Sequence, residues 1–386
     1  MLVFSLLFLQ EFNFQCASPL KYPGPIPDAE LFSSTLLIRH GKRTPNDNWI
    51  KGSGVGTWIC DSSDSLSPRM MVARDNGVTR RYYQTIHPKF VPFPPNCRNG
   101  DLLVEGMKQH DELGKFYRSI LVDQLKFLPE IADTSLVEFR ASKFERCVKS
   151  AESFINGLYP PLSPDEVFNI TTGYGNHEFL FPDVSTCHEL KEFWPKWKNT
   201  TDFKERAEAA KAKYAMLYQN FSINWDGENW LFLGDWFASY QCADQEIPSF
   251  ISKEVQESAL KDTAYLGSDF YGGQKGVAAS PIWREIFRNY DSQFKGSPKR
   301  FHLYSAHDTT IIGILSSIGY KTEALPPFRS HCAIELWKKG GIYTIRIIFN
   351  GDPIPIDIAN SETSMELTQF KQKMAPLLSF CQPELD

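Results

Sequence analysis

Three short apolar runs, within 33–45, 135–141 and 300–308, each lead into a cationic or ionisable cluster. Each has the length and content of a strand buried on both faces, and helix-like sequence follows. That pattern predicts strand-to-helix units of a parallel sheet. From Glu105 to Leu125 the period changes: Met107, His110, Leu113, Phe116, Tyr117 and Ile120 recur at helical intervals. A second helix is expected near Glu145, stopping at Gly157 and the Pro160-Pro161 pair. Two later runs, Cys332 to Trp337 and Tyr343 to Phe349, read as strands with a turn at Asn350-Gly351, and Glu362 to Phe380 reads as a closing helix.

Between these parts the patterning shifts. From 157 to 298, helical stretches such as Asp202 to Tyr218 alternate with aromatic, Asn-rich connections, and strand signals are scarce. The expected class is α/β: a mostly parallel central sheet flanked by helices, with an inserted, mainly helical domain at 157–298. The sheet domain would then comprise 19–156 and 299–386. Within it, 49–99 is rich in Gly, Ser and Pro and reads as a flap insertion.

Composition narrows the setting. A hydrophobic content of 42% over 386 residues supplies ample core, and a net charge of −5 leaves no basic field for a nucleic-acid partner. An apolar block from Leu2 to Leu9, followed by Cys16-Ala-Ser18, resembles a secretory signal spanning 1–18. No later stretch approaches the ~18 apolar residues of a membrane helix, so no stable membrane insertion is expected after cleavage. Sequons at Asn169, Asn199 and Asn220 point the same way, to a secreted or lumenal glycoprotein of the secretory pathway or lysosome.

Eight cysteines without C-x-x-C spacing favour disulfides over zinc. Losing Cys16 with the signal leaves an odd number, so one thiol stays free or pairs between chains. Cys147, inside a helical pattern, is the expected one. Cys60 and Cys97 stand near the two ends of the flap and would staple it.

Ligands of open α/β sheets sit beyond the carboxyl ends of the strands. Arg39, His40, Arg43, Arg140, His307 and Asp308 should therefore converge, giving guanidinium forks around two imidazoles and one carboxyl group. Arginine suits a phosphate because its planar fork binds two oxygens at once and stays charged. His40 could attack phosphorus directly, forming a phosphohistidine. An imidazole ordinarily titrates near ~6.5, but neighbouring guanidinium groups disfavour a second positive charge and keep it nucleophilic in acid. Asp308 stands where it could protonate the departing alkoxide, and His307 would donate a further hydrogen bond. This chemistry requires no metal and no cofactor.

Taken together, Arg39-His-Gly-Lys-Arg-Thr-Pro45, the stretch from Gly100 to Gly114, Arg140 with Arg146 and Ser150-Ala151, and Ser305-Ala-His-Asp-Thr309 resemble the motifs of the histidine acid phosphatases, branch 2 of the histidine phosphatase superfamily. The resemblance implies a phosphoglycerate-mutase-like fold and a nucleophilic His40. It also implies phosphate contacts from Arg39, Arg43, Arg140 and His307, proton donation by Asp308, a small phosphate monoester as substrate, and frequent homodimers. It further implies disulfides Cys187–Cys381 and Cys242–Cys332, leaving Cys60–Cys97 as this chain's own. Lys42 replaces a residue that is often acidic in relatives, which should favour more anionic substrates. The segment from Ile334 to Trp337, with Arg346 to Gly351, is similar to the phosphoxylose phosphatase branch. Three readings stay open: a general acid phosphatase, a narrow sugar- or inositol-phosphate phosphatase, and a secreted binding protein that keeps the scaffold without turnover.

Overall fold

The computed structural model describes residues 14–47, 58–61, 92–163, 166–173, 178–273, 276–357 and 360–382. The expected leader up to residue 13 and most of the flap lie outside them. In chain order the strands are β1 (Glu30–Arg39), β2 (Val137–Ala141), β3 (Ile170–Thr172) and β4 (Phe301–Ala306). They continue with β5 (His331–Lys339), β6 (Ile342–Phe349), β7 (Asp352–Pro353) and β8 (Ser364–Glu366). They form one sheet in the order β3-β2-β4-β1-β5-β6-β7, with β8 also pairing β6.

The sheet is mixed, and its two halves differ for a physical reason. β3, β2, β4 and β1 run parallel, because helices separate them in the chain. Beyond β1 the pairing turns antiparallel. There Gly340 and Gly341, with φ of +55° and +88°, close a two-residue hairpin that needs no crossover. In the parallel half, Arg39 lies opposite Ala306 and Ala141 opposite Ser305. The residues that follow β1, β2 and β4 therefore emerge side by side at one edge.

Alternation along the strands feeds two cores. Leu36, Ile38, Phe139 and Leu303 face α1 (Val104–Arg118) and α2 (Glu145–Leu158), where Leu113, Tyr117 and Phe154 meet them. The two helices cross so closely that a Cβ on Gly114 would strike the Phe154 carbonyl, and one on Gly157 that of Asp111. Leu37 and Tyr304 face the opposite way, into a core built with Trp230, Trp236, Trp283 and Ile311. Most of that side comes from the segment between β3 and β4. Its helices are α3 (His188–Lys198), α4 (Thr201–Lys213), α5 (Ala215–Asn220), α6 (Leu233–Cys242), α7 (Lys253–Tyr265) and α8 (Ser280–Phe294). After β4 comes α9 (Asp308–Ser317), and α10 (Leu367–Met374) closes the chain. The closing helix starts later than its periodicity predicts because Ser364–Glu366 is drawn into the sheet as β8.

The cysteines require one correction. Cys242 is joined to Cys16, and Cys332 is a free buried thiol on β5, so the expected Cys242–Cys332 bond is absent. The Cys16–Cys242 bond ties the segment before Ser18 to α6. Phe14 packs edge-on against Phe328 at 5.8 Å, and the Ser18 hydroxyl donates to the Arg329 carbonyl at 2.7 Å. Cys60–Cys97 and Cys187–Cys381 are the other two bonds, and Cys147 is free and buried. Near the flap ends, Trp58 and Phe93 are buried, and Trp58 meets Tyr240 of α6 at 5.2 Å.

Residues Glu335 and Arg346 stand opposite each other in β5 and β6. Their buried pair, at 2.6 Å, also takes the Trp337 indole N–H. The residues that resemble the phosphoxylose phosphatase branch thus tie two strands together.

Candidate active site

His40 leaves β1 at the carboxyl edge, buried, its backbone N–H donating to the Ala306 carbonyl at 3.1 Å. Its Nδ1 lies 3.1 Å from the Gly41 carbonyl, an acceptor, so Nδ1 carries the proton and Nε2 the free lone pair. The next residue must be glycine. A Cβ on Gly41 would come within 2.5 Å of the Gly106 carbonyl oxygen, where α1 begins. The same turn is fixed by Ser150, which accepts from the Gly41 N–H at 3.3 Å, and by Gln109, which accepts from the Lys42 N–H at 3.0 Å. The turn, the α1 motif and Ser150 of α2 thus form one bracket around His40.

Guanidinium groups surround the imidazole. Arg39 binds the Asp308 carboxylate at 2.8 Å, donates to the Pro326 carbonyl, and stacks on Phe328 at 4.5 Å. Arg43 donates to the Thr44 carbonyl at 2.8 Å and grips both oxygens of Asp235 on α6. Arg146, in the first turn of α2, lies 4.4 Å over Phe144, whose ring meets His307 at 5.2 Å. Among the described residues no carboxylate pairs with Arg146. The Nε atoms of Arg39, Arg43 and Arg146 are all buried without a hydrogen-bond partner. Buried donors are nearly always satisfied, so three unspent ones gathered at one imidazole mark a place for an oxyanion.

Burial first, and then the charges of Arg146, Arg43 and Arg39, hold His40 well below the ordinary imidazole value. His307 is lowered by the same causes. Both rings are therefore neutral, 5.6 Å apart between centroids. His307 Nε2 sits 2.9 Å from the Ser142 hydroxyl and 3.5 Å from the Cys147 sulfur. Asp308, the first residue of α9, accepts the Thr309 N–H at 2.7 Å with one oxygen and meets Arg39 with the other.

Arg140 does not join this group, which corrects the expectation. Strand residues alternate, and Val137, Phe139 and Ala141 are the buried set of β2. Arg140 therefore turns to the opposite face, 3.5 Å from Glu285 of α8 and stacked at 4.2 Å on Phe179. There it lines a cavity of about 220 Å³ with Arg284, Arg288 and Glu178. The chain runs on six residues to α2, and Arg146 takes the place expected of Arg140. Sequence reasoning quoted Arg146 but gave it no role, and it missed Asp235 altogether. The period of two in β2, with Glu138 and Arg140 on one face, was the available signal for the first. The expected sequon sites Asn169, Asn199 and Asn220 are all exposed.

The family model of the histidine phosphatase superfamily (branch 2) matches residues 30–350, and the chain belongs to that family. It is 27% identical to Counting factor 60 of Dictyostelium discoideum, over 89% of this chain and 85% of that protein. It is 23% identical to the human testicular acid phosphatase, over 92% and 81%. The Bifidobacterium longum multiple inositol polyphosphate phosphatase, solved with phosphate, superposes with a TM-score of 0.57 at 11% identity, over 94% of this chain and 97% of that one. The chain is a phosphoric monoester hydrolase of the histidine phosphatase kind.

Proposed function

We propose that the protein is a secreted or lumenal acid phosphatase in which His40 is the nucleophile and Asp308 the proton donor. Arg39, Arg43, Arg146 and His307 would hold the phosphate. The observation that carries this reading is the set of unpartnered guanidinium Nε atoms around an imidazole whose Nε2 is unprotonated.

His40 Nε2 attacks phosphorus as the ester P–O bond breaks, and Asp308 gives its proton to the departing alkoxide. Water then attacks the phosphohistidine, losing its proton to Asp308 and releasing inorganic phosphate. Positive charge fixed before the reaction stabilises the spreading negative charge of the transferring group. A ring kept neutral by burial and then by its cationic neighbours remains nucleophilic in acid.

Three disulfides suit an oxidising compartment, and no helix among the described residues is long and apolar enough to cross a membrane. Lys42, two residues past His40, favours a narrower taste for multiply charged sugar or inositol phosphates. A panel of aryl, sugar and inositol phosphates run across pH tests both readings. Turnover in acid that vanishes in His40→Ala, together with an acid-trapped phosphoprotein, is expected. Full activity in His40→Ala would overturn the mechanism.

A further inference from the structure

The guanidinium of Arg43 has two usable edges. Its end-on fork is taken: Nη1 donates to Asp235 Oδ2 at 3.2 Å and to the Thr44 carbonyl at 2.8 Å, and Nη2 donates to Asp235 Oδ1. Its side-on edge, Nε–H with the remaining Nη2–H, is left open, and Nε is buried without a partner. Asp235 is itself held, accepting the Asn46 N–H at 3.4 Å from the same loop that follows β1. It projects from α6, in the helical segment, whereas Arg43 lies in the loop that follows β1 of the sheet.

We infer that Asp235 is a positioning residue: its carboxylate clamps one edge of Arg43 so that the other edge faces the transferring phosphate. A long arginine side chain has considerable rotamer freedom, and a bidentate carboxylate removes it before substrate arrives. The clamp also gives the helical segment a direct hold on the phosphate site. Burial pushes the Asp235 carboxyl up, but the charge and hydrogen bonds of Arg43, aided by Arg39, outweigh it and keep the group below the usual carboxylate range. The clamp therefore persists in acid, where the enzyme would work. This inference rests on the phosphatase reading above.

The test is a cycle of Asp235→Ala, Arg43→Ala and the double variant, with Asp235→Asn as the conservative control. An aryl phosphate serves as substrate and inorganic phosphate as competing ligand. In Asp235→Ala, KM and the phosphate inhibition constant should rise on the order of 10-fold, since a misaimed group costs roughly that much or more. Asp235→Asn, which keeps an acceptor for the fork, should recover part of the loss. The double variant should be no worse than Arg43→Ala alone, because Asp235 acts through Arg43. Tighter phosphate binding in Asp235→Ala, unchanged kinetics, or losses that multiply in the double variant would each overturn the clamp. An unsubstituted protein that hydrolyses no phosphomonoester would instead strike the phosphatase reading, so the two failures are told apart.

Discussion

Asp308 Oδ2 lies 2.8 Å from Arg39 Nη2, so the proposed proton donor and a proposed phosphate ligand pair with each other across the junction of β1, β4 and α9. Under the proposed mechanism, phosphate oxygens that take the Arg39 donors would free Asp308 to pick up and pass on the proton that the leaving group needs.

A carboxyl group that serves as proton donor should matter in proportion to the leaving group's need. Asp308→Ala is expected to slow alkyl phosphates by about 10²–10⁴-fold. A nitrophenyl phosphate, whose leaving group departs without help, should be slowed far less. The measurement is kcat for both substrate types in each protein. Equal losses would show that Asp308 does not give up the proton.

The two arginines near β2 should part company on mutation. Arg146 is half-buried, with its Nε buried and unpartnered, pairs with no carboxylate among the described residues, and acts electrostatically on both His40 and His307. Removing it should cost turnover by ~10²-fold or more, as does loss of a single preorganised donor elsewhere. Arg140 pairs with Glu285 and stacks on Phe179, on the other face of the strand. Its replacement by Ala should leave kcat within about twofold and lower stability by ~1 kcal/mol, the scale of a partly exposed ion pair. Loss of activity in Arg140→Ala with an intact Arg146→Ala would reverse the assignment.

Those two residues also show where the sequence was readable. The apolar runs that became β1, β2 and β4 end at one edge because parallel pairing aligns them, so Arg39, His40, Arg43, His307 and Asp308 could be gathered from pattern alone. Arg140 was drawn in by its position at a strand end, yet the face of a strand, set by a period of two, decides where a side chain goes. Asp235 lies 192 residues from the arginine it grips, and nothing in the local sequence of α6 marks it. The partner of Cys242 was hidden for the same reason, since only the folded path brings Cys16 alongside.

That bond gives a prediction of its own. Cys16 and Cys242 are separated by 226 residues, a long loop whose closure strongly restricts the unfolded chain. Cys242→Ser should therefore destabilise the protein by about 2–5 kcal/mol in oxidising buffer. Cys332→Ala should leave the disulfide count unchanged, because that thiol is already free. Peptide mapping under non-reducing conditions should recover a Cys16–Cys242 peptide. A Cys242–Cys332 peptide would refute the arrangement.

Acid should weaken the fold even as it suits the reaction. His110 and His331 are fully buried, and burial lowers them to about 3 and about 4, while His40 and His307 are lowered as well. In the unfolded chain each titrates near ~6.5. Between that value and the folded ones, the unfolded state binds more protons than the native state, so unfolding free energy falls as pH falls. Each such histidine contributes up to about 1.4 kcal/mol per pH unit across that window, and nothing above it. Denaturant midpoints should thus be flat from pH 8 to 7 and drop steadily from 6 to 4. His110→Leu removes one titrating group from α1 and should reduce the slope by roughly one proton. Saturating inorganic phosphate, which binds only the native state, should raise the midpoint in wild type at every pH. A midpoint that rises on acidification, or an unchanged slope in His110→Leu, would show that these imidazoles are not held neutral by the fold.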